Sequence, residues 1–258
     1  MDRETVGEKE DTHSFLPSRL DDAQIPGLPE GMYYIPNFIT KAEEDTLVKE
    51  VLTQPTPRWT NLTHRRLQTH PSPLSPRTNT LLNEPLPPFL TTPIIPRFSR
   101  LQVFASSPHC AAPNHVLINE YTPGQGIMPH EDGAAYWPTV ATVSLGAHIV
   151  LDVYAKGADG ERGELRARIL QERRSLLVTR GVMYTDFLHG IAEVELDERL
   201  QAGMGEEGIT NWDILGEMDM WKQCEGRKER ETRISLTYRD VLRVKNMGKG
   251  LKGILGRR

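Results

Sequence analysis

The sequence predicts a mainly β domain of the sandwich or jelly-roll kind, with a few flanking helices. Three observations predict it. From about residue 98 onward, short β-branched and apolar runs recur at regular intervals, with turn residues rather than helices between them. Of the 258 residues, 38% are hydrophobic, enough to bury one large core. The chain shows no internal repeat, no dinucleotide-binding glycine fingerprint and no phosphate-loop glycine fingerprint.

The elements follow in order. Residues 1–30 are polar, hold Pro and Gly, and show no sustained period, so a disordered acidic tail is expected. MYYIPNFI is a short apolar run, a first strand that Pro36 ends. Thr40 then caps the helix KAEEDTLVKEVLTQ. Acids fill its first turn, and Leu47, Val48, Val51 and Leu52 form one apolar face. Residues 55–97 are rich in proline, and no regular element is expected to run far there. HVLINEY reads as a strand. TVATVSLGAHIVLDVY reads as two strands that meet at Gly146. LRARILQERRSLLVTRG gives two more, with a turn at Glu172-Arg173-Arg174; VMYTDFLHGI and TRISLTYRDV complete the set. Between the last two, residues 197–230 hold glycines, acids and one short helical stretch, WDILGEMDMWKQ.

Composition narrows the partners and the compartment. No run approaches 18 apolar residues, and the acidic N-terminus has no apolar core of a secretory signal. Cys110 and Cys224 are two and far apart, which fits a reducing compartment and no disulfide framework. The formal net charge of −4 is unevenly spread. Residues 51–119 carry six Arg against the single acid Glu84, and residues 232–258 carry eight Lys/Arg against Asp240. Two basic regions on an acidic chain suit a polyanion such as nucleic acid; the alternative reading is loop solvation and depletion of acids in a Pro-rich stretch.

One constellation carries chemistry. His130 and Asp132 are two apart, so an extended backbone places both on one side. His189, 57 residues after Asp132, adds a second imidazole from a distant strand. His148, only 16 residues after Asp132, is its rival. Two His and one carboxylate leave three coordination positions open, a set that suits non-haem Fe(II) and O2. A bidentate organic acid at that metal needs cationic partners. Arg233 and Arg239 are six apart and share one strand face.

With these residues assembled, the chain resembles the AlkB family of Fe(II)- and 2-oxoglutarate-dependent dioxygenases from about residue 32 to 243. The resemblance runs through YYIPNFI, NHVLINEYTPGQGIMPHEDG, PTVATVSLG, FLHGI and RISLTYR. It implies a double-stranded β-helix (jelly-roll) core over 31–243, a substrate-recognition lid over 51–100, and a basic flexible tail over 244–258. It implies Fe(II), 2-oxoglutarate and O2 as cofactors, with Mn(II), Ni(II) or Zn(II) as substitutes for iron. By the same resemblance, His130, Asp132 and His189 are the catalytic iron ligands. Asn119 and Tyr121 touch 2-oxoglutarate, Arg233 pairs with its distal carboxylate, Arg239 lies near the chelating end, and Ser235 belongs to the same cosubstrate group. The implied reaction couples decarboxylation of 2-oxoglutarate to oxidation of a substrate C–H bond. An N-methyl group so oxidised is lost as formaldehyde.

On the substrate side, the resemblance implies single-stranded or locally opened nucleic acid, DNA or RNA. Trp59 is either a stacking platform for a base or a core aromatic anchoring the loop. Arg65 and Arg66 are candidate phosphate contacts, and Tyr136 and Trp137 are either pocket walls or core residues. After RRLQ this chain continues THPSPLSP, where the relatives continue with an aromatic and glycines. Two other readings keep the same fold: an oxygenase acting on a protein side chain, and a catalytically weak nucleic-acid-binding module. A monomer in the cytoplasm and nucleus, away from membranes, is expected.

Overall fold

A computed structural model describes residues 16–204 and 208–246. The acidic stretch 1–15 and the basic stretch 247–258 lie outside the described residues. Strand β1 (Met32–Ile35) is buried along its whole length. Helix α1 (Lys41–Leu52) follows, and Thr40 caps it as expected: Oγ1 accepts from the Glu43 amide while the Glu43 carboxylate accepts from the Thr40 amide. The Pro-rich region holds β2 (Thr60–Leu62), β3 (Arg65–His70), β4 (Thr80–Leu82), α2 (Pro88–Thr91) and α3 (Ile94–Arg100). Then come β5 (His115–Tyr121), β6 (Ile127–His130), β7 (Tyr136–Leu145), β8 (Ile149–Lys156), β9 (Arg162–Gln171) and β10 (Leu176–Arg180). The chain closes through α4 (Val182–Thr185), β11 (Phe187–Ile191), β12 (Leu196–Asp197), α5 (Met218–Gln223), β13 (Lys228–Glu229), β14 (Arg233–Val241) and β15 (Arg243–Lys245).

Two sheets make the jelly roll. The larger has seven strands in the order β1-β10-β7-β14-β5-β3-β2, and the smaller has four in the order β6-β11-β8-β9. Side-chain alternation then decides what each face meets. On β14, Ile234, Leu236 and Tyr238 join Val116 and Ile118 of β5 in a core capped by α1 and α3. The opposite face of β14 presents Arg233, Ser235, Thr237 and Arg239 to a cavity between the sheets. A second core, including Tyr34, Ile149, Leu170 and Trp221, fills the remaining inter-sheet space.

Gly146 makes the expected bend between β7 and β8. Its φ is +81°, and a Cβ there would sit 2.6 Å from the Thr232 carbonyl oxygen, so only glycine fits.

Three sequence expectations change. Residues 20–25, assigned to a disordered tail, form a 3-10 turn at Leu20–Ala23 and bury Ile25 completely, because Ile25 donates its amide to Met32 and enters the second core. The Pro-rich stretch contains a six-residue strand, β3, because RRLQTH is free of proline and pairs antiparallel with β5. Val244 and Lys245, assigned to the flexible tail, belong to β15, which pairs with β4 in parallel.

The β9–β10 turn is held by a buried carboxylate. Glu172 accepts from the Tyr34 hydroxyl at 2.8 Å, the Gly216 amide at 2.8 Å, the Glu217 amide at 2.7 Å and Trp221 Nε1 at 3.3 Å. Burial opposes its ionisation and lifts its pKa, and these donors only partly offset that. The preceding residue, Gln171, faces the cavity. Glu172→Ala strands several buried donors at once and should cost about 2–4 kcal/mol of stability. Urea unfolding checks it; a loss below about 0.5 kcal/mol would show that the hub is dispensable.

Candidate active site

The site is built where the two sheets face each other. β11 pairs with β6 so that His189 stands directly opposite His130. Their rings lie 4.5 Å apart. Asp132 follows β6 by two residues, past the strand end, and turns inward. Ligand atoms of His130, Asp132 and His189 all lie within 4.8 Å of one another, so small side-chain rotations let one ion take all three. His148 is elsewhere. It meets Asp197 at 3.1 Å and packs edge-on against Trp221 at 4.8 Å. Asp197 is also held bidentately by Arg230, at 2.8 and 2.9 Å, so the His148 ring is part of a closed structural network.

Protonation suits metal binding. Burial lowers the pKa of His130 and brings that of His189 down to about 4, so both rings are neutral at pH 7. Nδ1 of His130 meets the Met128 carbonyl at 2.9 Å, which makes Nδ1 the N–H and leaves Nε2 as the lone-pair donor. Burial opposes ionisation of Asp132, but Arg239, His189 and His130 together hold its pKa below the usual carboxylate value. Arg239 Nη2 donates to Oδ1 of Asp132.

Opposite the triad lies the cationic face. Arg233 is 2% exposed. Its Nη2 donates to Ser144 Oγ at 2.8 Å and Gln171 Oε1 at 3.1 Å, while its Nε has no partner among the described residues. Burial brings its pKa down to about 10, so it stays charged at neutral pH. The Nε of Arg239 is likewise buried without a partner. No carboxylate pairs with Arg233 among the contacts of the described residues, and a buried charge of that kind is costly unless a ligand completes it. Asn119 and Tyr121 face the same cavity from β5, with Asn119 opposite Ser235 and Tyr121 opposite Arg233. The cavity measures about 250 Å³. A His/Asp/His cluster at one wall and an incompletely paired buried Arg at the other fit a metal and a small diacid between them.

Of the substrate candidates, the structure brings Arg65 into the cavity and leaves Trp59 and Arg66 out of it. Arg66 is taken by Glu120 through two contacts, 2.6 and 2.7 Å, because β3 and β5 pair with Arg66 opposite Glu120. Its guanidinium covers the Trp59 ring at 4.1 Å. Trp59 packs on the first core, the second of its two readings. Tyr136 lies beside Arg239 at 4.8 Å and His115 at 5.9 Å, at the edge of the site. Ser144, Gln171 and Tyr184 were not legible as site residues. Gln171 is the last residue of β9, and only its position across the two sheets gives it to Arg233.

The matched family covers most of the chain: the 2OG-Fe(II) oxygenase superfamily profile matches residues 31–239. The chain belongs to the 2OG-Fe(II) oxygenase superfamily and, within it, to the AlkB family, whose chemistry uses Fe(II), 2-oxoglutarate and O2. It is 38% identical over 232 residues to the probable RNA/DNA demethylase ALKBH6 of Danio rerio, covering 87% of this chain and 92% of that one. It is 28% identical over 222 residues to the tRNA (carboxymethyluridine(34)-5-O)-methyltransferase alkbh8 of Xenopus tropicalis, covering 84% of this chain and 32% of that longer protein. Among solved structures it is similar in fold to OsALKBH1, with a TM-score of 0.53, 13% identity, and coverage of 83% of this chain and 98% of that one. The chain is therefore a dioxygenase, an oxidoreductase of the jelly-roll class.

Buried histidines make the fold acid-sensitive. His115 sits opposite Arg239 in the register of β5 and β14, and burial, then Arg239, then His70 bring its pKa down to about 3. In the unfolded chain it protonates near the ordinary histidine value. The unfolded state thus binds the extra proton between about pH 6.5 and 3, and stability falls as pH drops through that window. Taking the protein from pH 7 to 5 should cost roughly 2 kcal/mol through His115 alone. Urea midpoints at the two pH values check this, and His115→Gln should flatten the slope; an unchanged slope would show that the ring finds a proton when folded.

Proposed function

We propose that this enzyme oxidatively demethylates alkylated nucleic acid. The observation that carries the reading is the pairing of His130, Asp132 and His189 with a buried, incompletely partnered Arg233 across one cavity. The similarity to a protein named as a probable RNA/DNA demethylase supports the substrate class.

In this reading His130, Asp132 and His189 hold Fe(II). Arg239 keeps one oxygen of Asp132 and leaves the other for the metal. Arg233, braced by Ser144 and Gln171, takes the distal carboxylate of 2-oxoglutarate. Ser235, Asn119 and Tyr121 complete the polar wall that orients it. Bound there, Fe(II) and 2-oxoglutarate supply the O2-dependent oxidation of a substrate C–H bond. The apolar residues Leu151, Val153, Leu177 and Leu188 line the same cavity and limit water around the reacting groups. The β2–β3 hairpin, with the loops around it, acts as the substrate lid. Arg65 and Tyr136 are the residues we assign to the nucleotide side, and Trp59 and Arg66 shape the hairpin instead. As part of the same proposal, the enzyme works as a monomer in the cytoplasm and nucleus. No helix among the described residues is long and apolar enough to cross a membrane.

Metal titration separates the ligand assignments. His189→Ala should abolish tight Mn(II) or Fe(II) binding and His148→Ala should not; undiminished affinity in His189→Ala would sink the assignment. Arg233→Ala should spare metal binding and weaken 2-oxoglutarate by about 3–5 kcal/mol, since the diacid's far carboxylate is left unpaired in a buried site. Calorimetry on the Mn(II)-loaded protein reads that loss. For the reaction itself, mass spectrometry of defined methylated oligonucleotides with Fe(II), 2-oxoglutarate and ascorbate should show methyl loss that is absent in His130→Ala. Succinate formation with no change in any oligonucleotide would redirect the search to protein side chains.

A further inference from the structure

We propose that Arg65 is a positioning residue for 2-oxoglutarate: it fixes the orientation of the Asn119 side-chain amide and so ties the β2–β3 hairpin to the cosubstrate site. The proposal rests on the reading that Asn119 meets 2-oxoglutarate.

The geometry comes from strand pairing. β3 runs antiparallel to β5 with Leu67 opposite Asn119 and Arg66 opposite Glu120. Residues 65 and 67 therefore share the face that carries Asn119 and Tyr121. Arg65 Nε donates to Asn119 Oδ1 at 3.1 Å, and both side chains line the cavity that holds His130 and Asp132.

An amide has one accepting end and one donating end. A guanidinium N–H at the oxygen end decides which is which. Turned over, Asn119 would aim its own N–H groups at a cation, two sets of donors face to face. With Oδ1 held by Arg65, the Nδ2 donors point the other way. Among the described residues Nδ2 has no hydrogen-bond partner, so these donors remain for an oxygen-rich ligand. Asn119 is only 7% exposed and lines the cavity that such a ligand would fill.

Arg65 is not a loose surface side chain. Backbone pairing of β3 with β5 fixes the strand from which Arg65 reaches inward, while its neighbour Arg66 is held by Glu120. The sequence hides this division, since two adjacent arginines look alike. Alternation sends one into the cavity and the other to the opposite face.

The experiment is a double-mutant cycle on 2-oxoglutarate affinity, measured by calorimetry on the Mn(II)-loaded full-length protein, with Mn(II) affinity and urea midpoints measured in parallel. Arg65→Ala should weaken 2-oxoglutarate about fivefold to tenfold, the scale of one net hydrogen bond, with Mn(II) affinity unchanged. Arg65→Lys should recover part of the loss. In the Asn119→Ala background, Arg65→Ala should add nothing, because its effect passes through that amide. Arg66→Ala, which loosens the same strand without touching the cavity, should change 2-oxoglutarate affinity less than about twofold. The proposal is overturned if Arg65→Ala binds 2-oxoglutarate like the parent, if its loss is additive with that of Asn119→Ala, or if Arg66→Ala matches it. A parent protein that takes up Mn(II) but not 2-oxoglutarate overturns the oxygenase reading first, and the proposal with it.

Discussion

The constraint on which the rest depends is the burial of two arginines on the central strand β14. Arg233 and Arg239 are 2% and 7% exposed, on a strand covered on both faces. Such charges are expensive to desolvate unless each donor finds an acceptor. Arg239 finds Asp132, and among the described residues Arg233 donates only to the neutral oxygens of Ser144 and Gln171. Folding therefore leaves a cationic wall incompletely paired. A diacid in the cavity would complete it, and the stability of the strand and its affinity for such a ligand share one origin.

The surrounding elements read as supports for that wall. The first core, on the far side of β14, packs Ile234, Leu236 and Tyr238 together with residues of α1 and α3. The Tyr238 hydroxyl reaches the Leu90 carbonyl at 2.9 Å, which ties β14 to α2. On the other flank, Glu172 gathers the β9–β10 turn, so the adjacent Gln171 is held where Arg233 needs it. Across the cavity, pairing of β6 with β11 sets two imidazoles side by side, their rings tilted at 55°. Each group is held by a separate part of the fold, and the site is the place where those parts converge.

The hairpin over the Pro-rich region is less separate than a lid suggests. β3 is a true member of the larger sheet, and its ion pair with Glu120 and hydrogen bond to Asn119 run directly into the strand that carries the cosubstrate residues. The hairpin is therefore joined to the cavity wall through β5. The prolines confine this segment to short elements, and the stretch between Arg58 and Pro71, which lacks proline, is where it joins the sheet.

The sequence by itself determined what is local. β-Branched and apolar runs made β5, β7, β8, β10 and β14 legible, Thr40 announced the start of α1, and Gly146 announced the bend. His130-x-Asp132 and the Arg233/Arg239 spacing exposed the chemistry: the two arginines, six apart on β14, share a face whatever surrounds them, whereas Asp132 reaches the site from beyond the end of β6. Tertiary structure alone decided what depends on register. It placed His189 opposite His130 and gave His148 to Asp197. It spent Arg66 on Glu120 while sending Arg65 to Asn119, and it recruited Ser144 and Gln171 to Arg233. These partners lie tens of residues apart, and a slip of one residue in pairing turns every side chain to the other face. A sequence shows which side chains are capable of a role, and the strand register decides which of them meet.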